Sequence, residues 1–118
     1  MVIIFLLGDN MYYVYMIRCI DNSLYTGITT DINRRFNEHL SGIGAKYTKR
    51  HRVIKIESVW LCNDRKEASK LEFHIKKLNK NEKEDIIKLD LDSSKYLLEK
   101  VEVKKYKRID KSCYINYN

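Results

Sequence analysis

The chain has no proline and only four glycines in 118 residues. Its abundance of Lys, Ile and Asn assigns part of that bias to genomic base composition, and no linker or internal repeat divides it. The three cysteines, Cys19, Cys62 and Cys113, are odd in number and widely separated. That spacing excludes a disulfide framework and a zinc ribbon, and a reducing cytoplasm is the simplest compartment. Long hydrophobic runs are also missing. The apolar opening from Met1 to Leu7 is far shorter than the roughly 20 residues of a membrane helix and has no basic segment before it. It is neither a membrane span nor a signal peptide. Acidic residues are in deficit, 16 against 23 Lys and Arg, for a net charge of +7. A polyanionic partner is favoured, although charge alone does not separate DNA from RNA or from an anionic surface.

A hydrophobic fraction of 44% argues for a folded chain, and the length suits one small domain. Aromatic and β-branched residues from Tyr12 to Arg18 and from Leu24 to Thr29 flank Asp21-Asn22-Ser23, which predicts a β-hairpin. Thr30 or Asp31 then caps a helix with Ile32, Phe36 and Leu40 at spacing four, ended by Ser41-Gly42 and Gly44. A basic loop from Ala45 to Arg52 leads to a third strand, Val53 to Leu61, with irregular alternation. Asp64 and Glu67 suggest a capping box before a helix carrying Ala68, Leu71, Ile75 and Leu78. After an interruption at Asn79 to Asn81, a short helix is expected over Glu82 to Leu89. The domain is expected to span residues 11–89. Residues 1–10 form an extension that is either dispensable, with Met11 a second start, or an added edge strand. Residues 90–118 form a basic, Tyr-rich extension in which a short helix, a strand and a flexible tail all remain open.

Five ordered blocks carry a resemblance: Tyr13-Val14-Tyr15; Ser23 to Thr30; Asp31 to His39; Gly44 to Thr48; and Ala68 to Leu78 around Glu72. Together they resemble a GIY-YIG endonuclease domain, most of all the small stand-alone proteins of the UPF0213 type. The resemblance implies an α/β domain of the α+β type, with a central three-stranded antiparallel sheet flanked by helices. It also implies phosphodiester cleavage assisted by one divalent metal, Mg²⁺ or Mn²⁺. Matched position by position, Tyr15 corresponds to the tyrosine of the first motif and Tyr25 and Gly27 to the ends of the second. Arg35 corresponds to the helix arginine, His39 to the polar residue one turn later, and Glu72 to the metal-binding carboxylate. Tyr13-Val14 stands where the first motif has Gly-Ile, Thr26 replaces Ile in the second, and Ile28 stands where excision-repair relatives carry Lys.

Each residue also has a plainer reading. Glu72 at i,i+4 from Lys76 makes a surface pair, the better reading in isolation; beside the other blocks, a lone carboxylate suits Mg²⁺, which keeps several waters. Arg35 is either a solvated helix arginine or a donor to the scissile phosphate. His39 falls between Ile32 and Phe36 in helical projection and reads as a buried imidazole or as a positioner of a tyrosine or water. Tyr15 and Tyr25 are strand aromatics or water-handling phenols, with Tyr25 the first candidate for activation, Tyr15 for orientation, and the roles exchangeable. A free phenol is ionised about one part in a thousand at neutral pH, so a tyrosine base needs help from a neighbour.

Lys46, Lys49, Arg50 and Arg52, with Tyr47 beside them, form the densest basic segment and suit a nucleic-acid backbone. In the tail, Tyr96, Tyr106, Tyr114 and Tyr117 among lysines are candidates for stacking on unpaired bases, against the plainer reading of a charged tail without ligand. The function expected is a metal-dependent, structure-selective DNA endonuclease linked to repair or recombination, with RNA not excluded and a protein partner supplying targeting. The competing expectation is a non-catalytic nucleic-acid-binding or partner-recruiting module on the same scaffold.

Overall fold

A computed structural model of the chain describes residues 11–114. The N-terminal extension and Tyr117 lie outside the described residues. Strand β1 (Tyr12–Cys19) and strand β2 (Leu24–Thr29) form the expected antiparallel hairpin, with Tyr15 opposite Gly27. The turn works because Asp21 Oδ1 accepts hydrogen bonds from the Ser23 amide and hydroxyl, while Asn22 takes a positive φ of 69°. Asparagine tolerates that left-handed conformation better than most residues.

Helix α1 (Ile32–Leu40) starts where Asp31 accepts from the Arg34 amide, so Asp31 rather than Thr30 is the cap. The segment expected as a basic loop contains a single helical turn, α2 (Lys46–Arg50), closed by hydrogen bonds from the Lys49 amide to the Ala45 carbonyl and from the His51 amide to the Tyr47 carbonyl. One turn is too short to show a helical hydrophobic period. Strand β3 (Val53–Cys62) pairs antiparallel with β1 on the side opposite β2. Register shifts between Met16 and Ile17 and between Arg18 and Cys19 account for the irregular alternation read in its sequence.

Helix α3 (Arg65–Lys76) is capped by Asp64, but the reciprocal half of the expected capping box is missing. The Glu67 carboxylate turns instead to Tyr106 and Lys105 of the C-terminal segment. The reciprocal box occurs one helix later, where Asn79 and Glu82 open α4 (Lys80–Lys88).

The C-terminal segment is packed. Helix α5 (Lys95–Lys100) and strand β4 (Lys107–Arg108) follow, and β4 adds to β3 to make a four-stranded sheet of order β2-β1-β3-β4. The α+β architecture is as expected, with one strand more than the three read from sequence. Arg108 fastens that edge: its guanidinium donates to the carbonyls of Ile86 and Ile87 near the end of α4, donates to Ser58 Oγ, and lies 5.5 Å from the Trp60 ring centre.

Alternation along β1 sends Val14 and Met16 to one face and Tyr15 and Ile17 to the other. Val14, Met16 and Trp60 join Leu71, Ile75, Ile86, Leu91 and Leu97 in the larger core beneath α3, α4 and α5. Tyr15 and Ile17 join Phe36, Val59 and Tyr114 in a smaller core beneath α1.

Candidate active site

The smaller core is built around two side chains for which the backbone makes room. A Cβ on Gly27 would sit 2.5 Å from the Tyr15 hydroxyl, so the glycine opposite Tyr15 lets the phenol lie across β2. A Cβ on Gly44 would collide with the His39 ring, so the loop after α1 closes over the imidazole only because residue 44 has no side chain. Between these glycines the Tyr15 hydroxyl and His39 Nε2 are 2.7 Å apart. His39 Nδ1 is 2.7 Å from Thr48 Oγ1 on α2, and that hydroxyl lies 2.9 Å from the Ala45 carbonyl.

Three further elements border this chain of bonds. Tyr25 on β2 sets its ring 5.4 Å from His39 and 6.3 Å from Tyr15 and is more exposed than Tyr15. Arg35, one turn before His39, pairs with Glu38 at 2.9 Å and lies close enough to Tyr15 for its charge to act on the phenol. Glu72 on α3, the helix packed against edge strand β2, keeps about a quarter of its side chain exposed and pairs with Lys76 at 3.1 Å. Lys76 Nζ lies 5.9 Å from the Tyr25 ring centre, so this ion pair adjoins the tyrosines. Glu72 is close enough for its charge to act on Tyr15.

Burial dominates the electrostatics. It pushes the Tyr15 phenol up to about 12, against the opposing influence of the Arg35 guanidinium, while the charges of Tyr25 and Glu72 add to the rise. At pH 7 that leaves a phenolate population of about one in 100,000. Burial, reinforced by the Arg35 charge, takes His39 down to about 4, so its imidazole is neutral at physiological pH. The Arg35 guanidinium is held charged more firmly than usual, chiefly by Glu38.

Tyr15, Tyr25, Arg35, His39 and Glu72 are thus brought together from β1, β2, α1 and α3. Tyr13 lies one pleat before Tyr15 on the same strand face, half-buried, its phenol raised by burial and by Asp31. Lys46, Lys49, Arg50 and Arg52 are exposed. Tyr47 stacks between Tyr25 at 6.0 Å and His51 at 4.0 Å, joining the basic turn to the tyrosine cluster.

Of the tail aromatics considered as candidates for stacking on bases, the three among the described residues are placed otherwise. Tyr106 and Tyr114 are buried, 7% and 1% exposed, and Tyr96 is half-buried with its hydroxyl 3.0 Å from His74 Nδ1. These rings fill core, which composition could not distinguish from an exposed basic tail.

Sequence reasoning passed over Thr48 and Gly44 as individual contributors, although both lie in a block it singled out. It also passed over Arg34 and Arg65. With Tyr12, Ile28, Thr29, Thr30, Arg35 and Glu38 they line an open cleft of about 430 Å³. Arg65 reached it by tertiary packing alone, its guanidinium 6.0 Å from the Tyr12 ring centre.

Among the described residues no three His, Cys, Asp or Glu side chains cluster as a metal cage. Cys19 and Cys62 are buried thiols, Cys62 raised by burial to about 12. The chemistry of Glu72 still fits a hard, hydrated divalent ion, because its partly exposed carboxylate is paired with a flexible lysine and Mg²⁺ needs one or two carboxylates beside water and phosphate oxygens.

The GIY-YIG catalytic domain family matches residues 11–85. A UPF0213 protein of Fusobacterium nucleatum is 57% identical over 64% of this chain and 76% of its own length. One from Cupriavidus necator is 45% identical over 64% of this chain and 83% of its own. The solution NMR structure of a UPF0213 protein from Bacillus halodurans is 40% identical over 67% of this chain and 84% of that one, with a TM-score of 0.45. The matched segment holds every residue of the tyrosine, histidine, arginine and glutamate cluster, and the chain belongs to the GIY-YIG nuclease family as a small member of the UPF0213 type.

Proposed function

We propose that the protein is a metal-dependent endonuclease that hydrolyses DNA phosphodiester bonds at the Tyr15, Tyr25, Arg35, His39 and Glu72 cluster. The observation that carries this reading is the 2.7 Å bond between Tyr15 and His39, set under Gly27 and bordered by Arg35. A buried phenol backed by a neutral imidazole can take a proton from water at one oxygen lone pair while passing its own to the ring. That route avoids a phenolate, which the raised Tyr15 pKa makes too rare to serve as the resting base. Tyr25, the more exposed of the two, orients the water. The roles first favoured for these two tyrosines are therefore exchanged.

Arg35 donates to the non-bridging oxygens of the scissile phosphate and offsets the charge that builds there in the transition state. Glu72 would hold the divalent ion, whose contribution when bound is to neutralise the leaving 3′-oxygen. Water attack breaks the P–O3′ bond and leaves a 5′-phosphate and a 3′-hydroxyl. The exposed cations of α2 and the cleft lined by Arg34, Arg35 and Arg65 would contact neighbouring phosphates. Such contacts confer affinity without sequence preference, which favours recognition of nucleic-acid shape in repair or recombination intermediates.

The test is cleavage of end-labelled single-stranded, duplex, flap and branched DNA and of RNA, with Mg²⁺ or Mn²⁺, by wild type and Glu72→Ala. Metal-dependent products lost in the variant are expected. Tight, salt-sensitive binding without cleavage of any substrate would instead favour a binding or recruiting module.

A further inference from the structure

We propose that Thr48 is a positioning residue that locks His39 in the tautomer protonated at Nδ1, so that Nε2 faces the Tyr15 hydroxyl as a proton acceptor. The tautomer follows from where each hydrogen can go. Thr48 Oγ1 has a single proton and two neighbours, the Ala45 carbonyl at 2.9 Å and His39 Nδ1 at 2.7 Å. A carbonyl oxygen only accepts, so the hydroxyl donates to Ala45 and must accept from an N–H at Nδ1. If the hydroxyl donated to Nδ1 instead, two lone pairs would face each other across 2.9 Å at Ala45.

The opposite end of the imidazole is compatible with that assignment. A neutral ring protonated at Nδ1 leaves Nε2 with a lone pair and no proton. The Tyr15 hydroxyl, 2.7 Å from Nε2, is placed to donate to it. A single assignment satisfies both ends: Nδ1–H to Thr48, and Tyr15 O–H to Nε2. Gly44 permits the arrangement, because a Cβ there would collide with His39 at Nδ1, the atom that meets Thr48.

For the proposed reaction the consequence is directional. With Nε2 unprotonated, Tyr15 can relay a proton from water to His39. With Nε2 protonated, the imidazole would donate to Tyr15 and the relay would run the wrong way. The single turn α2 thus both presents cations and carries the hydroxyl that sets the polarity of the buried chain. The catalytic consequence rests on the nuclease reading above; the tautomer itself does not.

Thr48→Val removes the hydroxyl at nearly constant shape, and Thr48→Ser restores it. Two measurements on the full chain test the assignment: the nitrogen chemical shifts and couplings of His39 in ¹⁵N-labelled protein near pH 7, and the turnover rate on whichever DNA the wild type cleaves. The expected result is a neutral His39 protonated at Nδ1 in wild type and Thr48→Ser. In Thr48→Val the Nε2–H form should become populated and turnover should fall about 100-fold, the scale of one misaligned acid–base group. Thr48→Ser should recover most of the rate, with KM little changed throughout. An Nε2–H ring in wild type, or an unaltered tautomer and rate in Thr48→Val, would overturn the proposal. If wild type cleaves nothing, the nuclease reading fails, while the nitrogen spectra still decide whether Thr48 governs His39.

Discussion

The two faces of the sheet use neighbouring residues of the same strands for opposite ends. Beneath α3 and α4, Val14, Met16, Trp60, Leu71, Ile75 and Ile86 form a core of apolar and aromatic side chains packed to negligible exposure. Beneath α1, the corresponding layer holds Tyr15, His39 and Thr48, equally buried but joined by short hydrogen bonds. The first arrangement is stabilised by area removed from water and tolerates no chemistry. The second accepts the cost of burying polar groups because each finds a partner, and buried side-chain polar atoms without a partner are absent among the described residues. Stability and reactivity are therefore separable, and mutations one pleat apart should distinguish them.

The sharpest contrast involves adjacent residues of α3. Glu72→Ala should abolish metal-dependent cleavage, by about 1,000-fold or more if it removes both the ion and its charge stabilisation, while the melting temperature stays near wild type. Leu71→Ala should do the reverse. Leu71 is fully buried, so truncation should cost about 2–5 kcal/mol of stability and leave turnover intact below the melting transition. Denaturant melts alongside initial rates would check both.

Acidification should weaken the polar face through His39. His39 goes from an ordinary 6.5 to about 4 on folding, so between those values the unfolded chain binds the extra proton. The stability contributed by neutral His39 is full above about 6.5 and is lost as pH falls toward 4. Its ceiling is about 3 kcal/mol by proton linkage. His39→Gln should flatten that part of the stability profile; a profile unchanged by the substitution would place the acid sensitivity elsewhere.

Gly27→Ala probes the glycine that admits Tyr15. A methyl group there meets the Tyr15 ring and hydroxyl, and overpacking of this kind costs about 1–3 kcal/mol. Cleavage should fall more than stability, because the displaced atom is the reactive oxygen. The smallest effect is expected on the surface. Replacing Lys46, Lys49 and Arg50 together by Ala should weaken DNA binding and lower the salt slope by about one for every phosphate no longer neutralised, with no change in melting temperature. A salt titration of binding anisotropy would read it.

The hairpin, α1, β3 and α3 were legible in the sequence because each carries a local signal: turn residues, a cap or a hydrophobic period. The tyrosines, Arg35, His39 and Glu72 were legible as motif positions, and their convergence follows from how the strands and helices pack. Thr48 and Gly44 were not separately legible, since their roles come from tertiary contact with a histidine on another element. Helix α2 was missed, and strand β4 was left as one of three open readings of the tail, because five and two residues are too few for periodicity to speak. The tail stayed open for a different reason. Tyr106 and Tyr114 sit among lysines in sequence yet point inward, and their neighbours in the fold, Glu67 and the α1-face core, are distant along the chain.

The most direct test of the account is the cleavage rate of Glu72→Ala beside that of Leu71→Ala, measured with Mg²⁺ at a temperature where both remain folded. The account predicts that the first loses cleavage and keeps its stability, while the second keeps cleavage and loses stability. Undiminished cleavage by folded Glu72→Ala would contradict the assignment of the catalytic centre to this edge of the sheet.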